Sequence, residues 1–265
     1  NYTNTMNQPA ESGINSISTI SILLVDDNKV NQFLGKKILK NLGINNVDVA
    51  SDGATALEML QNKKFEVLLT DVEMPGMNGY ELTTAVRNSN NDITIIALTA
   101  NATAEEKAYA LKNGMNDYLS KPYSPNELLD VLQKHIKREN TFFGVEDIHT
   151  NTSSNPVKGL YQLFNHNKSD VKNLLVLLKN QLPECMNLLK EGILSDNTEV
   201  IFNNAHKLKS TVKLFNDDPL FQCVSNITEY SRNGERLHEI PSLYDELNKG
   251  VNSILVLINQ EIEEI

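Results

Sequence analysis

Short aliphatic runs alternate with amphipathic stretches of helical spacing along the first half of the chain, and this alternation constrains the fold more than any other feature. The five runs are residues 20–25, 47–50, 65–70, 93–99 and 116–120. Most are rich in Ile, Val or Leu, which is typical of strands buried on both faces of a sheet. The helical stretches are 28–42, 53–61, 79–87, 104–112 and 125–137. Five such β-α units predict an α/β fold with a doubly wound, five-stranded parallel sheet.

The second half of the chain has a different period and contains no convincing strand. Apolar residues recur at helical spacing in four stripes, within residues 171–193, 201–215, 220–227 and 243–262. Four amphipathic helices with short connections predict an all-α, up-down helical bundle. Pro183 lies inside the first of these helices and should kink it. Cys185 and Cys223 fall on the stripes, so we expect both to be reduced core cysteines.

Polar segments precede and separate the two halves. Residues 150–155 have the Asn, Thr and Ser composition of a linker. We therefore predict a flexible N-terminal linker at 1–19, a first domain at 20–138, a second linker at 139–156 and a second domain at 157–265. A flexible linker of about 15 residues has a span of roughly 20 Å.

Composition excludes several classes of protein. No apolar run approaches the roughly 20 residues of a membrane span, so we expect no membrane contact. The polar start resembles no signal peptide and lacks an initiator Met, which indicates a chain cut from a longer protein. The two reduced core cysteines indicate a cytoplasmic location, either of a free protein or of the cytosolic part of a membrane-bound one. A net charge of −10 disfavours nucleic-acid binding, because neutralising phosphates needs a basic face.

Five polar residues follow the ends of the predicted strands. Asp26 and Asp27 end the first strand, Asp71 ends the third, Thr99 ends the fourth and Lys121 follows the fifth. Each alone has an ordinary explanation as a cap, a turn residue or a surface charge, but together they meet at one edge of the sheet. Crowded carboxylates repel one another unless a cation lies between them, and oxygen ligands suit Mg²⁺. A Lys and a Thr beside that ion would supply positive charge and a hydrogen-bond donor to the oxygens of a phosphoryl group. A carboxylate can itself accept that phosphoryl group.

Residues 20–138 resemble a two-component receiver domain, which has a flavodoxin-like fold. The matching motifs are ILLVDDNKVNQ, LLTDVEMPGMNGYEL, IIALTANAT and DYLSKP. The resemblance implies that Asp71 is the phosphoacceptor. It also implies that Asp27, Asp71 and the backbone carbonyl of Glu73 ligate Mg²⁺, while Asp26 acts mostly through water. Haloacid dehalogenase hydrolases also phosphorylate a strand-end Asp, but they carry a second Asp where this chain has Glu73.

The same resemblance implies roles around the phosphoryl group. Lys121 would pair with Asp71 or its phosphoryl group, and Thr99 would hydrogen-bond a phosphoryl oxygen. Tyr118 matches the family's switch aromatic, although a half-buried strand aromatic explains it as well. Glu73 and Asn101 would flank the path of the hydrolytic water.

One of the five histidines has a distinctive position. The core stripe of its helix includes Ala205 and Leu208, so His206 turns toward the outside of the bundle and should be exposed. Lys209 and Ser210 follow one turn later, and they would supply a cation and leave room for an approaching group. The other histidines are given no role, and we expect them to be solvated or without a partner: His135, His149, His166 and His238.

Residues 157–265 resemble a histidine phosphotransfer domain through the motif AHKLKSTVKLF around His206. Two departures from the family pattern are Ser210 and Asn216, where Gly is common. The resemblance implies that His206 carries a phosphoryl group. In that family the receiver's first helix docks near the His, and Phe33 is a candidate anchor on that helix.

Taken together, the two resemblances predict the tail of a hybrid sensor histidine kinase. Asp71 would accept a phosphoryl group from an upstream kinase core, exchange it with His206, and so pass it to a downstream receiver. The chain has no Gly-rich nucleotide motif, so it should not make phosphohistidine from ATP. Two alternatives remain: a stand-alone receiver–phosphotransfer protein, and a docking scaffold whose bundle carries no phosphate.

Overall fold

The computed structural model describes residues 19–89, 91–100, 103–136, 156–164 and 166–265. Most of the two predicted linkers lies outside these residues, as do Asn101 and His149. Among the described residues, no helix combines the length and the apolar character that crossing a bilayer requires.

The first half contains a parallel sheet of five strands, which are β1 (Ser21–Val25), β2 (Asn46–Ala50), β3 (Val67–Asp71), β4 (Thr94–Thr99) and β5 (Asp117–Ser120). Their order in the sheet is β2-β1-β3-β4-β5. Both faces of the sheet are apolar because helices cover both, which is why β1 and β3 are buried along their whole length. The predicted fold class is confirmed.

Five helices flank the sheet, and their termini follow the chemistry of their cap residues. They are α1 (Lys29–Asn41), α2 (Gly53–Asn62), α3 (Gly79–Asn88), α4 (Ala104–Lys112) and α5 (Pro125–His135). Asn78 and Ser124 each begin a helix with a reciprocal capping box, which satisfies backbone N–H groups that the first turn leaves free. The predicted helices agree with these bounds to within two residues at each described end.

The described residues of the second half form helices joined by short turns. Its α-helices are α6 (Lys168–Leu194), α7 (Thr198–Val212), α8 (Asp218–Asn233) and α9 (Ile240–Glu264), and a 3₁₀ segment, Lys158–Phe164, precedes them. Helices α6 and α9 pack against each other and, through α7 and α8, close a four-helix bundle. Helix α6 continues through Pro183. Cys185 and Cys223 are buried and free, as expected.

The two halves pack against each other through α1. Val30 and Leu34 of α1 belong to the same buried apolar cluster as the bundle core. Phe33 is partly buried against that cluster, and its ring centroid lies 5.9 Å from that of Phe164 in an edge-to-face arrangement. The expected contact between the first helix and the bundle is therefore present, with Phe33 as one of its anchors.

Candidate functional site

Three carboxylates converge at the carboxyl edge of the sheet. Strands β1 and β3 are parallel neighbours with Val25 opposite Thr70, so the residues that follow them meet at the same edge. Carboxylate oxygens of Asp26, Asp27 and Asp71 lie within 4.8 Å of one another. The structure thus brings together the three acids that the sequence analysis singled out.

Lys121 lies between two of these carboxylates. Its Nζ donates to Asp26 Oδ2 at 2.8 Å and to Asp71 Oδ2 at 2.6 Å, and all three side chains are buried. Burial alone would lower the pKa of Lys121, but the two carboxylates outweigh it and raise the pKa above its ordinary value. Lys121 is therefore a permanent positive charge at the centre of the cluster.

Lys121 and the other cationic neighbours do not fully compensate the negative charge of the three acids. Burial raises the pKa values of Asp26 and Asp27, although each carboxylate has a cationic neighbour. Asp27 Oδ1 is buried and has no hydrogen-bond partner. A buried, unpartnered carboxylate oxygen beside two further acids is a donor set that a hard divalent cation would satisfy, so these residues fit Mg²⁺.

Thr99 and Tyr118 lie on the neighbouring strands. Thr99 ends β4, is half-buried, and lies with its Oγ1 3.5 Å from Glu106 Oε2. Tyr118 is half-buried on β5, and Lys107 Nζ lies 4.7 Å from the centroid of its ring. The switch role of Tyr118 stays a prediction.

The bundle covers this edge of the sheet, and His206 lies in the contact between the two halves. The imidazole Nδ1 lies 2.6 Å from Glu73 Oε2, although the oxygen is out of line for a ring N–H hydrogen bond, so we describe a close contact. His206 is 7% exposed. The expectation of an exposed imidazole was wrong: the ring leaves the bundle core as predicted, but the receiver-like half buries it.

Burial also decides the charge of this ring. It lowers the pKa of His206 below the ordinary value, even though Asp71 and Asp27 act in the opposite direction. Burial therefore favours the neutral imidazole, in which one ring nitrogen keeps a lone pair.

Basic side chains of the bundle meet the acidic cluster. Lys207 Nζ lies 3.0 Å from Asp27 Oδ2, and Arg232 Nη2 donates to Glu73 Oε1. Lys213 Nζ donates to the backbone carbonyl of Lys121 at 2.9 Å. Sequence reasoning missed Lys207 and Arg232. The helical spacing of apolar residues does not indicate which exposed cation will contact a carboxylate of the other half.

The two supporting residues predicted beside His206 lie close to other side chains of the contact. The Nζ of Lys209 lies 5.8 Å from the centroid of the Phe221 ring, and its side chain is 8% exposed. Ser210 does more than leave room, because its Oγ accepts hydrogen bonds from Asn28 Nδ2 at 3.2 Å and Asn31 Nδ2 at 3.3 Å.

Asn28 makes polar contacts with both α6 and α7. It follows the Asp26-Asp27 pair, caps α1 by accepting from Val30 N, and is 2% exposed. Its Nδ2 lies within 3.3 Å of three acceptors of α7: Lys207 O, Ser210 Oγ and Thr211 Oγ1. Its Oδ1 accepts from Gln181 Nε2 at 2.8 Å. We call the bundle surface formed by Gln181, His206, Lys207, Ser210, Lys213 and Arg232 the docking face.

One histidine outside the site was also misjudged. We expected His135 to be solvated, but its Nε2 lies 2.7 Å from Asp117 Oδ2, where Lys134 Nζ binds as well. Burial would raise the pKa of Asp117, but the hydrogen bonds from Lys134 and His135 outweigh it and lower that pKa. The cluster ties α5 to β5 and lies apart from the docking face.

Comparison with known proteins identifies relatives of the first half. Residues 22–133 match the family model of the response regulator receiver domain. Sensor protein EvgS of Escherichia coli strain K12 is 41% identical over 134 residues, which are 51% of this chain and 11% of that protein. Sensor protein GacS of Pseudomonas syringae pv. syringae is 40% identical over 118 residues, 43% of this chain and 13% of that protein. The chain thus spans about a tenth of the length of these curated relatives.

One similar solved structure is the receiver domain of sensor histidine kinase PA1611 from Pseudomonas aeruginosa PAO1, which has a magnesium ion coordinated in its active site cleft. It is 38% identical, and the match covers 44% of this chain and 96% of that chain with a TM-score of 0.41.

Proposed function

Residues 22–133 are a response regulator receiver domain, and we propose that this domain exchanges a phosphoryl group with His206 of the bundle. The chain would then be a two-component phosphorelay module that joins a receiver at residues 20–138 to a histidine phosphotransfer domain at 157–265. The observation that carries the proposal is the burial of the His206 imidazole against Glu73, which lies two residues beyond Asp71.

Asp71 is the proposed phosphoacceptor. Its carboxylate attacks the phosphorus of an upstream phosphohistidine, an O–P bond forms as the N–P bond breaks, and the electron pair leaves on the imidazole. Lys121, bound to Asp71 Oδ2, supplies positive charge to the reacting group. Thr99, at the end of β4, would donate to a phosphoryl oxygen.

Mg²⁺ would be held by Asp27, Asp71 and the backbone carbonyl of Glu73, with Asp26 contributing through water. The bound ion supplies countercharge for the phosphoryl oxygens. The unpartnered Asp27 Oδ1 supports this assignment.

Transfer to the bundle uses the remaining nitrogen of His206. Glu73 lies against Nδ1, which leaves Nε2 as the nucleophile. Its lone pair attacks the phosphorus of the Asp71 acyl phosphate, the O–P bond breaks, and the electron pair returns to the Asp71 carboxylate beside Lys121. The step needs near in-line geometry, and the contacts of the docking face with the receiver support transfer within one chain.

Upstream and downstream partners follow from this chemistry. We propose that the donor is a histidine kinase core, in keeping with relatives that are sensor kinases, and that the acceptor from His206 is a second receiver. The cytoplasmic location expected from the sequence remains part of the proposal.

The test uses the different stabilities of the two phosphorylated residues. The chain is incubated with a small acyl-phosphate donor and Mg²⁺, and the label is divided into a base-labile acyl phosphate and an acid-labile phosphoramidate. The Asp71→Ala variant should lose both labels, and the His206→Gln variant should lose only the acid-labile label.

The matched control is His238→Gln, because His238 lies on the same bundle with a side chain that is 83% exposed. It should keep both labels. An acid-labile label that persists in His206→Gln, or that never forms in the unaltered chain, contradicts the proposal and favours a bundle that serves as a docking scaffold.

A further inference from the structure

Glu73 joins the receiver to the docking face with both of its carboxylate oxygens. Oε2 lies 2.6 Å from His206 Nδ1, and Oε1 accepts from Arg232 Nη2. One receiver side chain therefore contacts both the proposed nucleophile of the bundle and a cation from the neighbouring helix.

The two bundle side chains are linked to each other through Phe202. The guanidinium carbon of Arg232 lies 5.0 Å from the centroid of the Phe202 ring. That ring stacks on His206, with centroids 6.0 Å apart and an interplanar angle of 26°. Glu73, His206, Phe202 and Arg232 thus form a closed ring of four side chains, three of which come from the bundle.

The position of Glu73 depends on that of the proposed phosphoacceptor, Asp71. Its backbone N–H donates to Asp71 Oδ1 at 3.2 Å, and it lies two residues beyond Asp71 in the loop after β3. Any receiver that docked on His206 in this orientation would place the residue two positions after its phosphoacceptor aspartate where Glu73 lies. Arg232 would therefore contact that residue and favour a negative charge there.

We propose that Arg232 is a specificity residue of the docking face, which selects receivers that carry a carboxylate two residues after the phosphoacceptor aspartate. That carboxylate positions the imidazole of His206 while it pairs with Arg232. The inference rests on the proposed function for the identity of the transferred group, but the docking that it describes does not need phosphate.

The discrimination comes mainly from repulsion of the wrong partner. The Arg232 side chain is 46% exposed, and an ion pair that is open to water adds little affinity. A Lys or Arg in place of Glu73 would put like charges together and would remove the contact at His206 Nδ1, so such a receiver is disfavoured. The downstream partner should accordingly be a receiver with Asp or Glu at this position.

Docking is measured first, in the full chain without phosphate. Spin labels at Lys112→Cys and Asn252→Cys, both exposed in helices α4 and α9, report the distance between the halves. The native cysteines should stay unlabelled because they are buried. Across a salt titration, Glu73→Lys and Arg232→Glu should each lower the docking equilibrium constant about tenfold, and the double variant should recover most of the loss.

The control is Arg236→Glu, which alters an exposed arginine paired with Glu239 inside the bundle. It should dock like the unaltered chain. Recovery in the charge-swapped double variant also excludes misfolding as the cause of either single loss, because that variant carries both substitutions.

Transfer from Asp71 to His206 is then measured in the same variants. Each charge reversal should slow transfer about tenfold, and the swap should restore it only in part, because it still lacks the carboxylate at His206 Nδ1. If the single variants dock normally, or the swap restores nothing, the specificity role of Arg232 is overturned. If the docking results hold while no variant labels His206, the proposed function fails and the Arg232–Glu73 contact stands as a docking determinant.

Discussion

Asn28 offers a sharp test of how the two halves are held together, because the Asn28→Asp substitution separates its two functions. Aspartate keeps the oxygen that caps α1 and that accepts from Gln181, but it cannot donate to the three acceptors of α7. An amide has two N–H groups, so two hydrogen bonds across the contact are lost. At about 1 kcal/mol each, docking should weaken by about 2 kcal/mol, or roughly thirtyfold.

The assay uses a chain with a protease site inserted in the segment 139–155. After cleavage, titration calorimetry gives the Kd between the halves, and Asn28→Asp should raise it about thirtyfold. Asn28→Ala should raise it further, because it leaves Gln181 Nε2 without its acceptor. It should also destabilise the receiver by about 1 kcal/mol through loss of the helix cap.

Asn45→Asp is the matched control, since Asn45 is an exposed asparagine whose amide donates to Gly43 O within its own turn. It should leave the Kd unchanged. If Asn28→Asp also changes the Kd by less than twofold, the hydrogen bonds of Asn28 do not hold the halves together and the reasoning is refuted.

The remaining predictions concern the charged cluster, pH and the thiols. Lys121→Ala leaves two buried carboxylates unpaired and should lower the free energy of unfolding in urea by about 3 kcal/mol; a loss under about 1 kcal/mol would argue against this charge balance. Mg²⁺ should raise the Tm, and chelation should reverse the gain; a gain that persists in Asp27→Ala would rule out this metal site. Because hydrogen bonds lower the pKa of Asp117, its contribution to stability is present above its unfolded pKa of 3.8 and is lost as pH falls through the folded value. The stability difference from Asp117→Asn should therefore shrink on acidification, and a constant difference would contradict the assignment. Burial raises the pKa values of Cys185 and Cys223 to about 11, so both should resist a thiol reagent until the chain is unfolded.

Much of the fold can be predicted from sequence patterns within individual segments. The aliphatic runs around Leu23 and Leu68 could be recognised as strands buried on both faces, and the helices by their period and caps. The convergence of Asp26, Asp27 and Asp71 followed from topology, because parallel strands joined by helices end at one edge of the sheet. Family resemblance was needed to assign roles to these residues.

The contact between the halves could be anticipated only in outline. The position of α1 against the bundle and the outward turn of His206 were expected, but its burial and its contact with Glu73 were not. Lys209 was expected to act as the cation near His206, but Lys207 and Arg232, which also meet the receiver's carboxylates, were not singled out. His135 shows the same limit within the receiver, because its partner Asp117 is adjacent only after α5 packs on β5.

The division has a physical cause. Hydrophobic period and capping residues act within short segments, so the sequence already specified the sheet, the bundle and the edge at which Asp71 lies. The pairing of Glu73 with Arg232, or of Asn28 with Ser210, depends on how two preformed surfaces fit. A cation on a solvated helix face has the same local pattern whether or not a carboxylate from the other half comes to meet it, and packing of the two halves was required to settle which did.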